Sequence, residues 1–322
     1  MTETAQATRI RIADTGLEVF PLNLGGNVFG WTADVAESEA VLDAFVAGGG
    51  NFVDTADAYS AWAPGHIGGE SETVIGDWMR ARGNRDDVVI ATKVSQHPEF
   101  TGLAGDNVRA AADASLQRLG TDRIDLYYAH FDDASVPLEE TVGALSGLVD
   151  AGKVRAIGIS NYTPERIDEW FQVTEANGFH RAAALQPHYN LVERDFEHGL
   201  RQRAEREGLA VFAYFSLAKG FLSGKYRSGA DAAAADASPR AAAASSYLDD
   251  RGTAVLAALD RIAAAHGVPV ASVALAWLRV QPTVVAPIAS ARHVDQLPAL
   301  LASATLELSS AELDELSAAS AA

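Results

Sequence analysis

Four side chains of the kinds used in proton transfer stand at the ends of apolar runs in the sequence. Asp54 ends the run NFVD, Tyr59 follows five positions later, Lys93 lies in VVIATKV, and His130 closes IDLYYAH. A tyrosine has an ordinary pKa of about 10, which is too high for an efficient proton donor at neutral pH. A nearby lysine ammonium favours the phenolate and lowers that pKa, and a carboxylate such as Asp54 would keep the lysine charged and in place.

This set of side chains suits the reduction of a carbonyl group. Tyr59 would act as the general acid, and His130 would orient the carbonyl oxygen by hydrogen bonding. Lys93 would support the negative charge that develops on that oxygen. No side chain supplies a hydride, so this reaction requires a cofactor. Lys93 also fits a different chemistry, because a lysine at such a position can form a Schiff base with a carbonyl substrate.

Each of these residues taken alone has an ordinary structural explanation. Tyr59 alone is typical of a loop tyrosine, and His130 alone of a satisfied core histidine. Asp54 alone fits a helix cap or a loop acid. Lys93 alone fits a solvated strand end, although buried lysines are rare unless paired. Four independent accidents at four strand ends are improbable, and the group therefore favours a functional site.

The elements that would position these residues alternate between strand and helix patterns. A hairpin with Asp14, Thr15 and Gly16 at its turn comes first, and near-continuous apolar runs follow it. Such runs are typical of parallel strands that are covered on both faces. The segments SETVIGDWMR, PLEETVGALSGLVDAGK and TPERIDEWF read as helices, the last with Thr163 as N-cap and Pro164 at its first position. Eight β-then-α units follow the hairpin, which predicts a parallel sheet.

Eight such units fit either an open doubly wound sheet or a closed barrel. A Rossmann sheet would carry G-x-G-x-x-G after its first strand, and Gly25, Gly26 and Gly30 have the wrong spacing for that motif. We therefore expect an α/β fold of the (β/α)8, or TIM barrel, type. The N-terminal hairpin would close its bottom, and a long loop would follow strand 7. The active sites of these barrels lie at the carboxyl ends of the strands, where the four residues stand.

One barrel domain is expected to span residues 1–322. Within it, residues 1–8 read as a disordered tail and residues 309–322 as a C-terminal tail. Residues 226–250 are polar or alanine-rich and have almost no large apolar side chains. A loop of this length in a compact domain is usually a lid or is disordered. Because it follows the seventh strand, it would lie on the face that carries barrel active sites.

The composition narrows the choice of partners. The 322 residues include 25 Lys and Arg against 43 Asp and Glu, a formal net charge of −18. So acidic a chain repels nucleic acid and anionic membranes, and neither is expected as a partner. There are no cysteines, which excludes disulfides and thiolate catalysis and suits a reducing cytosol. The N-terminus lacks a signal-peptide pattern and no apolar run is long enough to span a membrane, so a cytoplasmic location is expected.

The sequence resembles the aldo-keto reductases from the N-terminal hairpin to about Leu308. The matching stretches are FVDTADAYS, GGESETVIG, VVIATKV, DLYYAHFDD, GKVRAIGISNY, LQPHYNL, FLSGKY and PIASARHVDQL. Together, in this order and spacing, they are highly specific. The resemblance implies reduction of a small-molecule aldehyde or ketone with NADPH.

The resemblance also implies a role for each matching residue. Asp54, Tyr59, Lys93 and His130 would be the catalytic tetrad, with Tyr59 as the proton donor. By this resemblance, Ser160, Asn161 and Gln186 would hold the nicotinamide carboxamide, and Tyr214 would stack on the nicotinamide ring. Ser216, Leu217 and Gly220 would lie along the pyrophosphate. Ser290, Arg292 and Gln296 would bind the adenosine end. Arg292 is a candidate partner for a 2′-phosphate, through charge-assisted hydrogen bonds that favour NADPH over NADH.

The sequence departs from the family pattern in three places. The stretch YFSLAKG has Phe215 after the stacking tyrosine and no proline, where the family often has Ser-Pro-Leu. Leu300 replaces an asparagine that contacts adenine in the family, which would remove a polar contact. The alanine-rich segment within residues 226–250 matches nothing in the family.

Other readings of the sequence remain open. Trp31, Trp62 and Phe131 lie on predicted rim loops, where they line the substrate pocket or are ordinary loop hydrophobes. A second class of function is a non-catalytic, cofactor-occupied sensor, which resembles the barrel subunits attached to potassium channels. No surface for such an assembly is recognisable in the sequence. A third class is a Schiff-base lyase that uses Lys93.

Overall fold

A computed structural model of the chain describes residues 7–233 and 239–321. The strands within these residues are β1 Ile10–Arg11, β2 Glu18–Val19, β3 Asn23–Gly25, β4 Phe52–Asp54, β5 Val89–Val94, β6 Gln96–His97, β7 Phe100–Thr101, β8 Ile124–Ala129, β9 Val154–Ser160, β10 Ala182–Gln186, β11 Ala210–Val211 and β12 Ile288–Ala289. The helices are α1 Val35–Ala47, α2 Glu70–Arg82, α3 Gly105–Leu119, α4 Leu138–Asp150, α5 Pro164–Asn177, α6 Leu200–Glu207, α7 Gly229–Ala232, α8 Ala241–Ser245, α9 Asp250–His266, α10 Val270–Arg279, α11 Leu297–Ala302 and α12 Ser310–Ala319. Short 3₁₀ segments are Arg85–Asp87, Asp195–Glu197, Ala218–Ser223 and Val294–Gln296.

Eight of the strands form one parallel sheet. Their spatial order is β11, β10, β9, β8, β5, β4, β3 and β12, and helices connect them. The two ends of the sheet meet through the residues that lead into β12. The Val285 N–H donates to the Val211 carbonyl at 2.9 Å, and the Ile288 N–H donates to the Ala213 carbonyl at 2.9 Å. The prediction of a closed (β/α)8 barrel is therefore confirmed.

Burial of the strands and helices follows the sequence patterns. Every residue of β5 and of β8 is buried, as expected for parallel strands with helices outside and side chains within the barrel. Helix α2 buries the predicted face that includes Val74, Ile75 and Trp78. Helix α5 begins as predicted, since the Thr163 hydroxyl accepts the Arg166 N–H at 3.2 Å. The buried strands and the helices that pack on them together position the strand ends, where the predicted site residues lie.

The N-terminal hairpin covers one end of the barrel. Strands β1 and β2 pair antiparallel, and their segment contributes Ile12, Leu17 and Val19 to a buried apolar cluster. That cluster contains Phe52 and Val89, which are the first residues of β4 and β5. The hairpin therefore closes the amino-terminal end of the barrel, as predicted, and leaves the carboxyl ends of the strands for a site.

The C-terminal segment is helical rather than a tail. Ser309 and Glu312 form a capping box that starts α12, and Leu316 of this helix is fully buried. The Trp277 indole N–H also donates to the Ser317 hydroxyl at 3.1 Å. The expectation of a C-terminal tail over 309–322 therefore needs correction for residues 310–319. The capping box and one apolar contact face stabilise this helix, although its small and polar residues give little sequence indication of a helix.

The long segment after strand 7 contains two short helices among the residues that the structure describes. Helices α7 and α8 lie within 226–250, and α8 buries Ala241 and Ala244. The Tyr247 hydroxyl donates to the Glu193 carboxylate at 2.8 Å, which ties the segment to the loop after β10. The segment therefore packs on the rim of the barrel, and a lid function for it stays a prediction.

Two predicted features fall partly outside the described residues. The expected N-terminal tail, 1–8, is described only from Ala7, which packs against the apolar core. Residues 234–238 of the long segment also lie outside. In the part of the chain that the structure covers, no single helix is long and apolar enough to cross a membrane. Helices α9 and α10, which meet at a bend of 100°, would pass such a test only as a pair.

Candidate active site

A cavity of about 430 Å³ opens at the carboxyl ends of the barrel strands. Every site residue predicted from the sequence, except Lys93, lines it. These lining residues are Trp31, Asp54, Tyr59, Trp62, His130, Phe131, Ser160, Asn161, Gln186, Tyr214, Ser216, Leu217, Gly220, Ser290, Arg292 and Gln296. They come together because strand ends that are far apart in sequence meet on one face of a parallel barrel.

A buried hydrogen-bonded group lies at one side of this cavity. The Lys93 ammonium donates to Asp54 Oδ2 at 2.6 Å, to the Thr55 carbonyl at 2.7 Å and to Tyr59 Oη at 3.0 Å. Tyr59 Oη also lies 3.3 Å from Asp54 Oδ2. Lys93 has no exposed surface, so its three donors are matched by three acceptors inside the protein. Lys93 thus supports Asp54 and Tyr59 from behind the cavity wall.

The surroundings of this group set its protonation. Burial alone would lower the pKa of Lys93, but the charge of Asp54 and the contact with Tyr59 raise it above its ordinary value. Burial raises the pKa of Tyr59 to about 12, against the attraction of the Lys93 ammonium. Lys93 therefore acts in the expected direction, but burial outweighs it and the net shift is opposite to the expected one. The phenol keeps its proton at neutral pH and is present as a donor.

His130 stands on the other side of Tyr59. The two ring centroids are 6.2 Å apart, and the rings meet edge to face. Burial, with a smaller effect of the Lys93 charge, holds the pKa of His130 well below its usual range. The imidazole is therefore neutral at pH 7 and carries one N–H donor. The Asn161 amide, which donates to the His130 carbonyl at 2.9 Å, fixes the backbone at this position.

A network of polar groups extends from Asp54 around the barrel rim. The Gln186 amide donates to Asp54 Oδ1 at 2.8 Å, and the Ser160 hydroxyl donates to the Gln186 carbonyl at 2.8 Å. The Asn161 amide donates in turn to the Ser160 hydroxyl at 3.1 Å. These three residues are preorganised by their contacts with one another, which suits recognition of a planar amide.

Tyr214 is held with one face of its ring covered. The His188 ring stacks on it, with centroids 5.2 Å apart and an interplanar angle of 12°. The Tyr214 hydroxyl donates to the Asn161 side-chain oxygen at 2.9 Å. Tyr214 lines the cavity and His188 does not. The face of Tyr214 opposite His188 is therefore available to a flat ring in the cavity, next to the rim amides.

The cavity is locally basic in an acidic chain. Lys219, Lys225, Arg240 and Arg292 line it, and Asp54, which is paired with Lys93, is the one acid among the described residues that do so. A net charge of −18 would otherwise repel an anion. The excess of cations fits a ligand with several negative charges.

The backbone on two sides of the cavity has special conformations or close contacts. Lys219 and Gly220 adopt left-handed conformations, with φ of 58° and 102°, in the turn after strand 7. A Cβ at Gly25 would lie 2.6 Å from the Ser290 hydroxyl, so only glycine lets β3 approach this residue. The Ser290 hydroxyl donates to the Asn27 side chain at 2.9 Å, and the Gln296 side-chain oxygen accepts the Arg292 N–H at 2.8 Å.

Sequence reasoning missed several residues that line the cavity. Asn27, Lys219, Lys225 and Arg240 were not predicted, and Phe215, noted only as a departure, also lines the cavity with a φ of 51°. The two lysines had a signal, because they follow strand 7 in a strongly acidic chain. Arg240 had none, since the alanines around it carry no pattern. Leu300 is buried in the apolar core and is not among the residues that line the cavity.

A further buried acid, Asp57, lies beside the site but outside the cavity. Burial raises its pKa to about 8; the charge of Glu72 adds to the rise, and Arg118 and Lys93 oppose it. Burial raises the pKa of the neighbouring Tyr127 phenol, and the charge of Asp57 adds to this rise. The folded protein therefore keeps a proton on Asp57 that the unfolded chain releases above a pH of about 4.

The stabilisation from this proton should be complete below a pH of about 4 and should be lost as the pH rises towards 8. Because Asn cannot ionise, the free energy of unfolding of Asp57→Asn relative to wild type should increase with pH, by at most about 1.4 kcal/mol per pH unit. Urea unfolding at several pH values between about 5 and 9 measures this difference. A flat line for Asp57→Asn would contradict the prediction.

Comparison with known proteins assigns the family. The sequence profile of the Aldo/keto reductase family matches residues 21–321. Protein tas of Escherichia coli K12 is 34% identical, over 96% of this chain and 96% of its own length. Norsolorinic acid reductase stcV of Emericella nidulans is 34% identical over 94% of this chain and 78% of its own length. Aldo-keto reductase YhdN of Bacillus subtilis is 36% identical over 66% of this chain and 63% of its own length. The chain belongs to the aldo/keto reductase family, whose members are oxidoreductases that act on small carbonyl substrates and generally use NAD(P)H.

Proposed function

We propose that the protein reduces an aldehyde or ketone to an alcohol with NADPH, and that Tyr59 is the general acid. The observation that carries this proposal is the hydrogen-bonded group of Asp54, Lys93 and Tyr59 at the cavity wall. Asp54 and Lys93 lie on the neighbouring strands β4 and β5, and Tyr59 lies on the loop after β4, so the three side chains meet only in the folded barrel. Relatives named as reductases support the same class of reaction.

The residues that line the cavity support binding of a nicotinamide dinucleotide. The free face of Tyr214 suits a nicotinamide ring, and the amides and hydroxyl of Gln186, Asn161 and Ser160 suit its carboxamide. The turn at Ser216, Leu217 and Gly220, with Lys219 and Lys225, suits the pyrophosphate. Ser290, Arg292 and Gln296 suit the adenosine end. When bound, NADPH supplies the hydride.

The protein's own groups manage the proton. The Tyr59 O–H bond breaks as the hydroxyl donates its proton to the substrate oxygen, which becomes the alcohol. The phenolate that remains is stabilised by the Lys93 ammonium 3.0 Å away. Asp54 keeps Lys93 charged, and the neutral His130 imidazole donates its N–H to orient the carbonyl. Trp31, Trp62 and Phe131 line the cavity near Tyr59 and would hold the body of the substrate.

The structure argues against the lyase reading of Lys93. A Schiff base needs a neutral, accessible amine. Lys93 is fully buried, is not among the residues that line the cavity, and has a pKa raised above its ordinary value. No observation on the described residues favours the non-catalytic reading, whereas the contacts among Asp54, Lys93 and Tyr59 support catalysis.

Fluorescence titration with NADPH and NADH, followed by NADPH oxidation with a panel of carbonyl compounds, tests the proposal. We expect tight binding of NADPH and turnover with at least part of the panel. Binding without turnover of any carbonyl compound would favour a sensor. Failure to bind either cofactor would overturn the assignment of the cavity.

Arg292 is expected to determine the preference for NADPH. A charge-assisted bidentate contact with the 2′-phosphate contributes about 1.5–3 kcal/mol, so Arg292→Ala should raise the Kd for NADPH about 10- to 100-fold. The Kd for NADH should change little, because NADH lacks that phosphate. Arg292→Lys keeps the charge without the planar fork and should fall between the two. Equal weakening of both cofactors would show that Arg292 acts on the fold or on another part of the cofactor.

A further inference from the structure

His188 supports the Tyr214 ring on the face that is turned away from the cavity. The two rings are nearly parallel, at 12°, with centroids 5.2 Å apart, and of the two Tyr214 alone lines the cavity. Phe215 packs edge to face on both rings, 5.5 Å from His188 and 5.3 Å from Tyr214. The backbones also pair, since the Tyr214 N–H donates to the Pro187 carbonyl at 2.9 Å. His188 is therefore held against Tyr214 by its side chain and by its backbone.

The contacts of Asn190 favour the neutral form of His188. The Asn190 side-chain oxygen accepts the Val192 N–H at 2.9 Å, and its amide nitrogen donates to the Phe215 carbonyl at 2.9 Å. These two bonds assign the orientation of the amide, whose nitrogen also lies 3.5 Å from His188 Nε2. A ring nitrogen that faces an amide donor is an acceptor, so Nδ1 carries the proton of the neutral ring. A second proton, at Nε2, would face another N–H.

Charged side chains of both signs surround this imidazole. They come from the loop after β10, the turn after strand 7 and the residue before α8, the last through its contact with Phe215, and are Glu193, Asp195, Lys219 and Arg240. Burial holds the pKa of His188 below its usual range; Lys219 lowers it further, and Glu193 and Asp195 oppose the shift. The ring is partly exposed, so protons reach it from solvent. His188 is therefore neutral at pH 7 and gains a positive charge in acid.

A charge on His188 acts on any ring that stacks on the opposite face of Tyr214. The nicotinamide ring is a cation in NADP⁺ and is neutral in NADPH, which carries the additional hydride. The face of a tyrosine attracts a cation through its π electrons, and a cation on one face withdraws electron density from the other. Repulsion between two cations on either side of one ring is also stronger in a partly buried site than in water. A neutral His188 causes neither effect.

We propose that His188 is a positioning residue that lets the cavity distinguish the oxidised from the reduced nicotinamide: the neutral imidazole supports the stacking of both, and the protonated imidazole weakens the binding of NADP⁺ selectively. This inference rests on the proposed function, since it requires the nicotinamide to lie on Tyr214. Acidification would thus favour release of the oxidised cofactor and retention of the reduced one. By linkage, NADP⁺ must oppose protonation of His188 more than NADPH does.

The affinities for the two cofactors as a function of pH test this inference. The measured quantity is the ratio of the Kd for NADP⁺ to the Kd for NADPH, obtained from the quenching of tryptophan fluorescence. A phosphate monoester ionises near a pH of about 6, but the 2′-phosphate is common to both cofactors and cancels in the ratio. The wild-type ratio should be constant between about pH 7 and 8 and should rise at least about threefold as the pH falls to about 5.

His188→Phe is the decisive variant, because it keeps a flat ring against Tyr214 that cannot take up a proton. Its ratio should stay constant, within about 1.5-fold, over the same pH range. His188→Gln, which is also unable to ionise, repeats the test if Phe disturbs the fold. His198→Phe is the control and should behave as wild type, since His198 is exposed on the same segment between β10 and α6 and does not line the cavity.

NMR titration of the histidine Cε1–H signals gives a second readout. The signal of His188 is the one that disappears in His188→Phe, and its pKa should be lower with NADP⁺ bound than with NADPH bound. Equal pKa values in the two complexes, or a wild-type affinity ratio that does not change with pH, would overturn the inference and leave the proposed function intact. An equal rise of the ratio in His188→Phe would also overturn it and would assign the effect to another group, such as His130. Failure of wild type to bind either cofactor would refute the proposed function, and the inference with it.

Discussion

Replacing Tyr59 by Phe is expected to reduce carbonyl-reducing activity by about 10³-fold or more, with the Kd for NADPH changed less than about twofold. The substitution removes one hydroxyl, which is the proposed proton donor, and keeps the ring that packs on Trp62 and His130. The pair of Asp54 and Lys93 loses one acceptor but stays together at 2.6 Å. Steady-state kinetics and fluorescence titration of NADPH, on the same preparation, measure the two quantities.

Tyr162→Phe is the matched control for this experiment. The Tyr162 hydroxyl is buried, is not among the atoms that line the cavity, and makes no hydrogen bond with any residue that the structure describes. Its removal should leave activity and cofactor affinity unchanged. Turnover retained by Tyr59→Phe would remove Tyr59 from the role of general acid. A loss of NADPH binding in that variant would instead show a structural role.

The parts of the site that the sequence predicted share one physical basis. Parallel strands place their carboxyl ends on one face, so polar groups at the ends of separate apolar runs must converge. Asp54, Lys93 and His130 were predicted in this way, and the structure brings them together around Tyr59. The closed barrel followed from the count of β-then-α units and the lack of a Rossmann glycine pattern.

The parts that the sequence did not predict depend on tertiary contacts. The position of Arg240 is set by the docking of α8, and alanines that pack on a distant segment leave no periodic pattern. The net pKa shift of Tyr59 depends on burial, which the residue types alone do not define. Helix α12 was missed because its apolar face reduces to Leu316 and few neighbours, although the capping box at Ser309 was readable.

The ion pair of Asp54 and Lys93 is expected to stabilise the fold as well as the proposed chemistry. Both side chains are almost fully buried, so removing one partner leaves an uncompensated charge inside the barrel. Asp54→Asn and Lys93→Met should each lower the free energy of unfolding by about 3–5 kcal/mol. The double variant, which has no buried charge at this place, should be more stable than either single variant. Urea unfolding of the four proteins measures the coupling.

Activity should behave differently from stability in this cycle. All three variants should lose at least about 10²-fold in kcat/KM. Lys93→Met and the double variant lack the ammonium that stabilises the Tyr59 phenolate. In Asp54→Asn the Lys93 ammonium is present but no longer held in position. The exposed pair Lys153 and Asp113 is the control, where the corresponding Met and Asn changes should add up, each costing less than about 1 kcal/mol. If the losses of stability at Asp54 and Lys93 are additive, their contact at 2.6 Å contributes no coupling energy. If the double variant recovers activity, neither residue takes part in the proposed mechanism.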